Sequence, residues 1–121
     1  MKKIINKYLL LFFCVFSLVL PTGCDKQVVA DYQEYHFRNE ELLESHYEKH
    51  GKEMGFVSSE EYEMAASDVV NDPESLHKTE KEDGDDVYYK EDTNEFVVVS
   101  TDGYIRTYFN PEAGKKYFDR Q

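Results

Sequence analysis

Cysteine usage sets the tightest limit on what this chain can fold into. Lys2, Lys3 and Lys7 precede the apolar run Tyr8 to Leu20, which gives way to Pro21-Thr22-Gly23-Cys24, the order of an export signal removed by cleavage. The run is too short to cross a bilayer, which takes about 20 apolar residues. Cys14 lies inside the run and leaves with it, so Cys24 is the remaining thiol and no intramolecular disulfide can form. Residues 24–121, which number 121 − 23 = 98, must hold together by packing around one modest core.

The end of the signal resembles that of bacterial lipoproteins, in which small residues precede a cysteine that is acylated and becomes the mature N-terminus. Thr22 and Gly23 fit this pattern, whereas Pro21 stands where an aliphatic residue is usual. The resemblance implies lipidation at Cys24 and attachment to a cell membrane, with simple secretion as the alternative. Residues 1–23 are then a signal peptide, 24–38 a tether and 39–121 the folded domain. All 25 acidic residues follow residue 23, while three of the 14 basic residues precede it, so the mature chain carries 11 − 25 = −14 with histidines neutral. A field of that sign repels polyanions, and a nucleic-acid partner requires local positive charge. Gly103 to Gln121 supplies some through Arg106, Lys115, Lys116 and Arg120.

Apolar spacing in Asp25 to Phe37 allows some helix in the tether. Asn39 is placed to cap a helix over Glu40 to His50, with acids in the first turn and Gly51 where a left-handed terminating residue is expected. Leu42, His46 and His50 share one face of it, flanked by Leu43 and Tyr47. A second helix opens at Ser58, which forms an S-x-x-E box with Glu61, carries Tyr62, Ala65, Ala66, Val69 and Val70 at helical spacing, and stops at Asn71-Asp72-Pro73. Leu76 to Asp86 reads as an exposed loop with at most a helical turn.

From Asp86 the period changes to that of strands. Val87 to Lys90 and Phe96 to Thr101 are separated by the turn Asp92-Thr93-Asn94, and Asp102-Gly103 leads into Tyr104 to Phe109. A two-residue Asp-Gly hairpin would set Thr101 opposite Tyr104, Val99 opposite Arg106 and Val97 opposite Tyr108, leaving Phe96, Val98, Ile105 and Phe109 to line the core face. The first face would then carry Arg106 and two tyrosine hydroxyls toward a cleft or solvent, and with the first helix packed near the sheet in so small a domain, His50 and Arg106 should converge on one cleft. Tyr117-Phe118 is expected as a last edge strand. The plan is α+β, two or three N-terminal helices packed on a small antiparallel β-meander.

Two blocks carry a resemblance. Lys49-His50-Gly51-Lys52-Glu53-Met54-Gly55 and Ser100-Thr101-Asp102-Gly103-Tyr104-Ile105-Arg106-Thr107-Tyr108-Phe109-Asn110-Pro111, in that order, resemble the colicin D-like branch of the nuclease toxins grouped with barnase, EndoU, colicin E5 and RelE. The resemblance implies metal-independent cleavage of RNA, often tRNA, in bacterial competition, with no cofactor, a monomeric domain and an immunity protein as a possible partner. It places the catalytic histidine and its preceding lysine on His50 and Lys49, and the strand positions on Arg106, Thr107 and Tyr108. A lipid-anchored protein that keeps the fold as a binding, decoy or immunity-type module is the alternative.

The chemistry is consistent with the residue types. RNA self-cleavage needs a base for the 2′-hydroxyl proton, an acid for the leaving 5′-oxygen and cations around the phosphorane. Near a helix C-terminus His50 would favour its protonated form and suit the acid, and His46, one turn earlier, could assist as base. The same pair could share zinc, but Tyr47 follows His46, so the H-E-x-x-H order is absent.

Overall fold

A computed structural model describes residues 32–121, and the export segment and Cys24 lie outside the described residues. Gln33–Gln121 forms one compact unit. Its order is α1 (Glu40–His46), continuing as a π-helical turn over Tyr47–Gly51, α2 (Ser59–Asn71), β1 (Leu76–Thr79), β2 (Asp86–Lys90), β3 (Glu95–Val99), β4 (Ile105–Phe109) and α3 (Lys115–Asp119). The four strands form an antiparallel sheet in sequential order, β1-β2-β3-β4. The expected α+β plan is therefore present. No described helix is long and apolar enough to cross a membrane.

Both early helices start where local chemistry places them. The Asn39 side chain accepts from the Leu42 amide at 2.9 Å, with Glu40 and Glu41 in the first turn, where negative charge complements the helix dipole. Ser58 Oγ accepts from the Glu61 amide at 3.1 Å, and the Glu61 carboxylate reaches back to the Val57 amide at 3.2 Å. The end of the first helix departs from expectation. The Lys52 amide reaches the Tyr47 carbonyl at 3.0 Å, one residue further back than in an α-helix. Gly51 is not a left-handed cap. It is buried in this turn, and the left-handed conformation falls at Gly55, φ +96°. A Cβ at Gly51 would lie 2.4 Å from Tyr47 Cδ1 and 2.9 Å from Tyr62 Cδ1, so the missing side chain is what lets the two rings close over this turn.

The sheet is covered on both faces. Leu43, Tyr47, Tyr62, Ala66 and Val69 from the helices pack on Val97, Val99, Ile105 and Tyr108. The opposite face buries Val87, Tyr89, Phe96 and Phe118, with Val98, Phe109 and Tyr117 against them. Three expectations are corrected here. The Leu76 region is a strand rather than a loop, Tyr117-Phe118 belongs to helix α3 rather than to an edge strand, and the tether is extended where it is described. Its backbone is held along α2 by side chains one turn apart: Asn71 takes the Gln33 amide at 2.8 Å, Ser67 the Tyr35 amide at 2.8 Å and Glu63 the Phe37 amide at 2.8 Å. Alternate residues of an extended strand advance about 6.6 Å and four residues of a helix about 6 Å, so the two repeats nearly match.

The β3–β4 hairpin departs from the expected register and then recovers it. The Ser100 amide donates to the Tyr104 carbonyl at 2.7 Å, enclosing the three residues Thr101, Asp102 and Gly103, the last with φ +92°. Val99 therefore pairs with Ile105 rather than with Arg106. A bulge at Arg106 then restores Val98 opposite Thr107 and Val97 opposite Tyr108. As a result Ile105 and Tyr108 both enter the helix-side core, and the face expected to carry Tyr108 toward a cleft is instead buried.

Candidate active site

α1 and its π-turn lie beside β4, one of the two edges of the sheet, and the stripe Leu42–His46–His50 faces the seam between them. Leu43 and Tyr47 are buried, which leaves His46 and His50 half-buried at the rim. The two imidazole centroids are 6.0 Å apart; His46 lies 5.0 Å from the Phe37 ring and His50 stacks 5.3 Å from Phe109. Each histidine lines its own recess. The larger, about 420 Å³, joins His46 to Arg106, Arg38, Ser100 and Tyr104, with Phe37, Leu42 and Ile105 as its apolar part. The smaller, about 220 Å³, holds His50 with Glu53, Met54, Phe109, Asn110 and Glu112.

Arg106 and His50 were expected in one cleft, and Arg106 instead shares a recess with His46. The bulge is the cause, since it turns the arginine out at the upper end of β4 while His50 stacks at the Phe109 end. Arg106 Nη1 donates to Asp85 Oδ2 at 3.0 Å, an acid almost wholly buried. Lys49 is exposed and acts on both histidines through its charge. Thr107 pairs with Val98 on the sheet side away from α2, and Tyr108 is fully buried with its hydroxyl donated to the Glu95 carboxylate. Neither of these two reaches the histidine seam.

His50 differs from the expected protonated state, and His46 does not differ from the neutral state expected of a base. Burial, then the charges of His50 and Lys49, hold the His46 pKa below its usual 6.5. Burial and Lys49 also lower His50, with Glu53 opposing them. Both rings are thus mainly neutral at pH 7, and the proximity of a helix end does not outweigh desolvation. What distinguishes the two rings is the neighbouring charge: Glu53 favours the protonated form of His50, whereas the charges acting on His46 both favour its neutral form. His46 Nδ1 is buried without a hydrogen-bond partner among the described residues, so the ring exchanges protons through Nε2.

Sequence reasoning missed Arg38 and Ser100, whereas Tyr104 belongs to the face expected to open toward a cleft. Arg38 had been placed in the tether, where it reads as a solvated charge. Its position beside the Asn39 cap is the only local hint that it is fixed.

No protein-family model matches the chain, and no curated protein matches it either. Among solved structures, one similar in architecture is a ribonuclease from Escherichia coli complexed with its inhibitor protein, at a TM-score of 0.50 and 19% identity, covering 64% of this chain and 95% of that one. The fold is shared with a ribonuclease. At that identity the likeness concerns architecture, helices followed by a four-stranded antiparallel sheet, and assigns no residue a role.

Proposed function

We propose that this chain is an exported ribonuclease domain of the kind used in bacterial competition, held at a membrane by a lipid on Cys24 and acting on RNA, tRNA foremost. The observation that carries the reading is the pair of partly buried imidazoles with lowered pKa, His46 and His50, 6.0 Å apart, with Arg106 lining the recess that His46 shares. His46 Nε2 takes the proton of the 2′-hydroxyl as its oxygen attacks phosphorus. Arg106 neutralises the phosphorane oxygens. Protonated His50 donates to the departing 5′-oxygen, leaving a 2′,3′-cyclic phosphate and a 5′-hydroxyl. Lys49, beside both rings, disfavours a metal cation there and supports metal-independent chemistry. The inhibitor bound to the structurally similar ribonuclease supports an immunity-type partner for this domain.

One observation favours a second reading, a binding module that has kept the fold without the activity. Arg106 is already paired with Asp85, in a chain of net charge −11. Expression of residues 24–121 in a bacterial cytosol separates the two. The ribonuclease reading expects toxicity and RNA fragments ending in 2′,3′-cyclic phosphate, insensitive to EDTA. His46→Ala and His50→Ala should each reduce cleavage by about 100-fold or more with the fold intact. A folded, non-toxic protein that leaves RNA whole establishes the binding module instead.

A further inference from the structure

We infer that the Arg38–Tyr104 end of the larger recess is a subsite for one unpaired nucleotide of a single-stranded polynucleotide, with the base stacked on Tyr104 and the adjoining phosphate held by Arg38. The inference rests on the ribonuclease reading for its substrate class, and its geometry stands apart from the histidines.

Three observations carry it. First, charge: the lining of this recess includes Arg38, Arg106 and His46 and no carboxylate. The recess at His50 carries Glu53 and Glu112, and another beside α1 carries Glu40, Glu44, Glu60 and Glu63. Each guanidinium is paired with one carboxylate outside the lining, Arg38 with Asp102 and Arg106 with Asp85, so what the recess offers an anion is N–H donors on a surface without facing carboxylates rather than a net positive charge. Second, availability: Arg38 gives only Nη2 to Asp102, at 2.9 Å to each oxygen. Among the described residues its Nη1 and Nε make no hydrogen bond, so single N–H donors on two separate edges of the guanidinium remain for a phosphate. Third, the stacking surface: the Arg38 guanidinium lies 4.5 Å from the centroid of the Tyr104 ring, and Tyr104 keeps 38% of its surface exposed. Arg38 thus holds the ring by a cation–π contact, and a flat apolar group can take its open surface.

An aromatic ring beside a phosphate-binding arginine is the arrangement that takes a splayed-out base, since every base offers a π-face and a base inside a duplex does not. The volume, about 420 Å³, falls in the range of small-ligand sites. Asp102 tunes the site. Its carboxylate, which also accepts from Ser100 Oγ at 2.5 Å, positions Arg38 while cancelling part of its charge.

The test is binding of a short single-stranded oligodeoxynucleotide, which lacks the 2′-hydroxyl and cannot be cleaved by this chemistry, to the full chain at low salt by fluorescence anisotropy. Arg38→Ala and Tyr104→Ala should each weaken binding by about tenfold, the scale of one stacked base, with melting temperatures unchanged. Tyr104→Phe should bind as wild type. Asp102→Asn, which keeps hydrogen-bonding geometry and removes the charge, should bind more tightly, an outcome a merely structural role for this corner does not produce. The subsite is overturned if the wild type does not bind, if duplex of the same sequence binds equally well, or if both alanine variants bind like wild type. A wild type that binds through Arg38 and Tyr104 yet never cleaves RNA sustains the subsite and removes the ribonuclease reading. One that cleaves with KM unmoved by these variants does the reverse.

Discussion

Gly51→Ala opposes two effects of known sign. In a helical interior, replacing glycine by alanine should stabilise by up to about 1 kcal/mol. Here the added Cβ lies 2.4 Å from Tyr47 Cδ1 and 2.9 Å from Tyr62 Cδ1, against an optimum near 3.5–4.0 Å between carbons. Neither ring can swing aside freely. The Tyr47 hydroxyl donates to the Phe56 carbonyl at 2.8 Å, and the buried Tyr62 hydroxyl donates to the Tyr108 carbonyl at 2.5 Å. Overpacking of this kind costs about 1–3 kcal/mol, and with both rings fixed at their far ends the upper part of that range applies. The net loss is then roughly 1–2 kcal/mol, a fall in Tm of about 5–15 °C for a domain of this size. Urea and thermal denaturation of the purified protein measure it. In a Tyr47→Phe background that ring is released and the penalty should shrink, a coupling that a double-mutant cycle reads directly. A Tm equal to or above wild type for Gly51→Ala would refute the close-approach argument and leave backbone propensity in control.

Tyr62→Phe should lose about 1–3 kcal/mol in urea denaturation, because the Tyr108 carbonyl would be left without its donor beneath α2. The histidines set a pH dependence. With both folded pKa values below the usual 6.5, the stability they contribute is complete above about pH 6.5 and is lost as pH falls through the folded values, where the unfolded chain takes up protons first. Wild type should therefore lose more stability than His46→Gln between about pH 7.5 and pH 5, and equal losses would contradict the lowered pKa. If the domain cleaves RNA, its rate should rise on acidification from pH 7 to an optimum below about 6.5, since His50 must carry a proton; a profile rising toward alkaline pH would reverse the acid and base assignment. Fatty-acid labelling should mark wild type and spare Cys24→Ala, and equal labelling would replace the anchor with simple secretion.

What was legible in the sequence followed the range of the interactions. The caps at Asn39 and Ser58 act within three residues, and the period of β2, β3 and β4 is set by burial on alternate sides, so both could be read from short stretches. β1 escaped because Leu-His-Lys-Thr is an edge strand whose half-buried positions are Leu76 and Lys78, with His77 and Thr79 exposed, so its alternation is not an apolar one. The π-turn depends on Tyr62, eleven residues beyond Gly51, and the helix at Tyr117-Phe118 on the aromatic side of a sheet already formed. At the site, the His46–His50 stripe was visible from its i, i+4 spacing. The partner of each histidine was not, because one extra residue in the hairpin loop and one in the bulge decide which way Arg106 points. The protonation state of His50 was misjudged for a related reason: a helix terminus is visible in sequence, and desolvation beside Phe109 is not.

The loop and the bulge carry a consequence for which registers this hairpin can adopt. The three-residue loop Thr101-Asp102-Gly103 shifts β4 by one position, and the bulge at Arg106 shifts it back. In this sequence the three-residue loop without the bulge would set Tyr108 opposite Phe96, and a two-residue loop with the bulge would set it opposite Val98; either register turns Tyr108 to the face away from Tyr62, because side-chain direction alternates with every residue. With neither, Tyr108 meets Val97 again. The two irregularities therefore form together or not at all, and burial of one ring at the far end of β4 selects the turn at its near end. Arg106 opens onto the His46 recess in the register that has both, so the packing of Tyr108 against Tyr62 indirectly sets the wall of that recess.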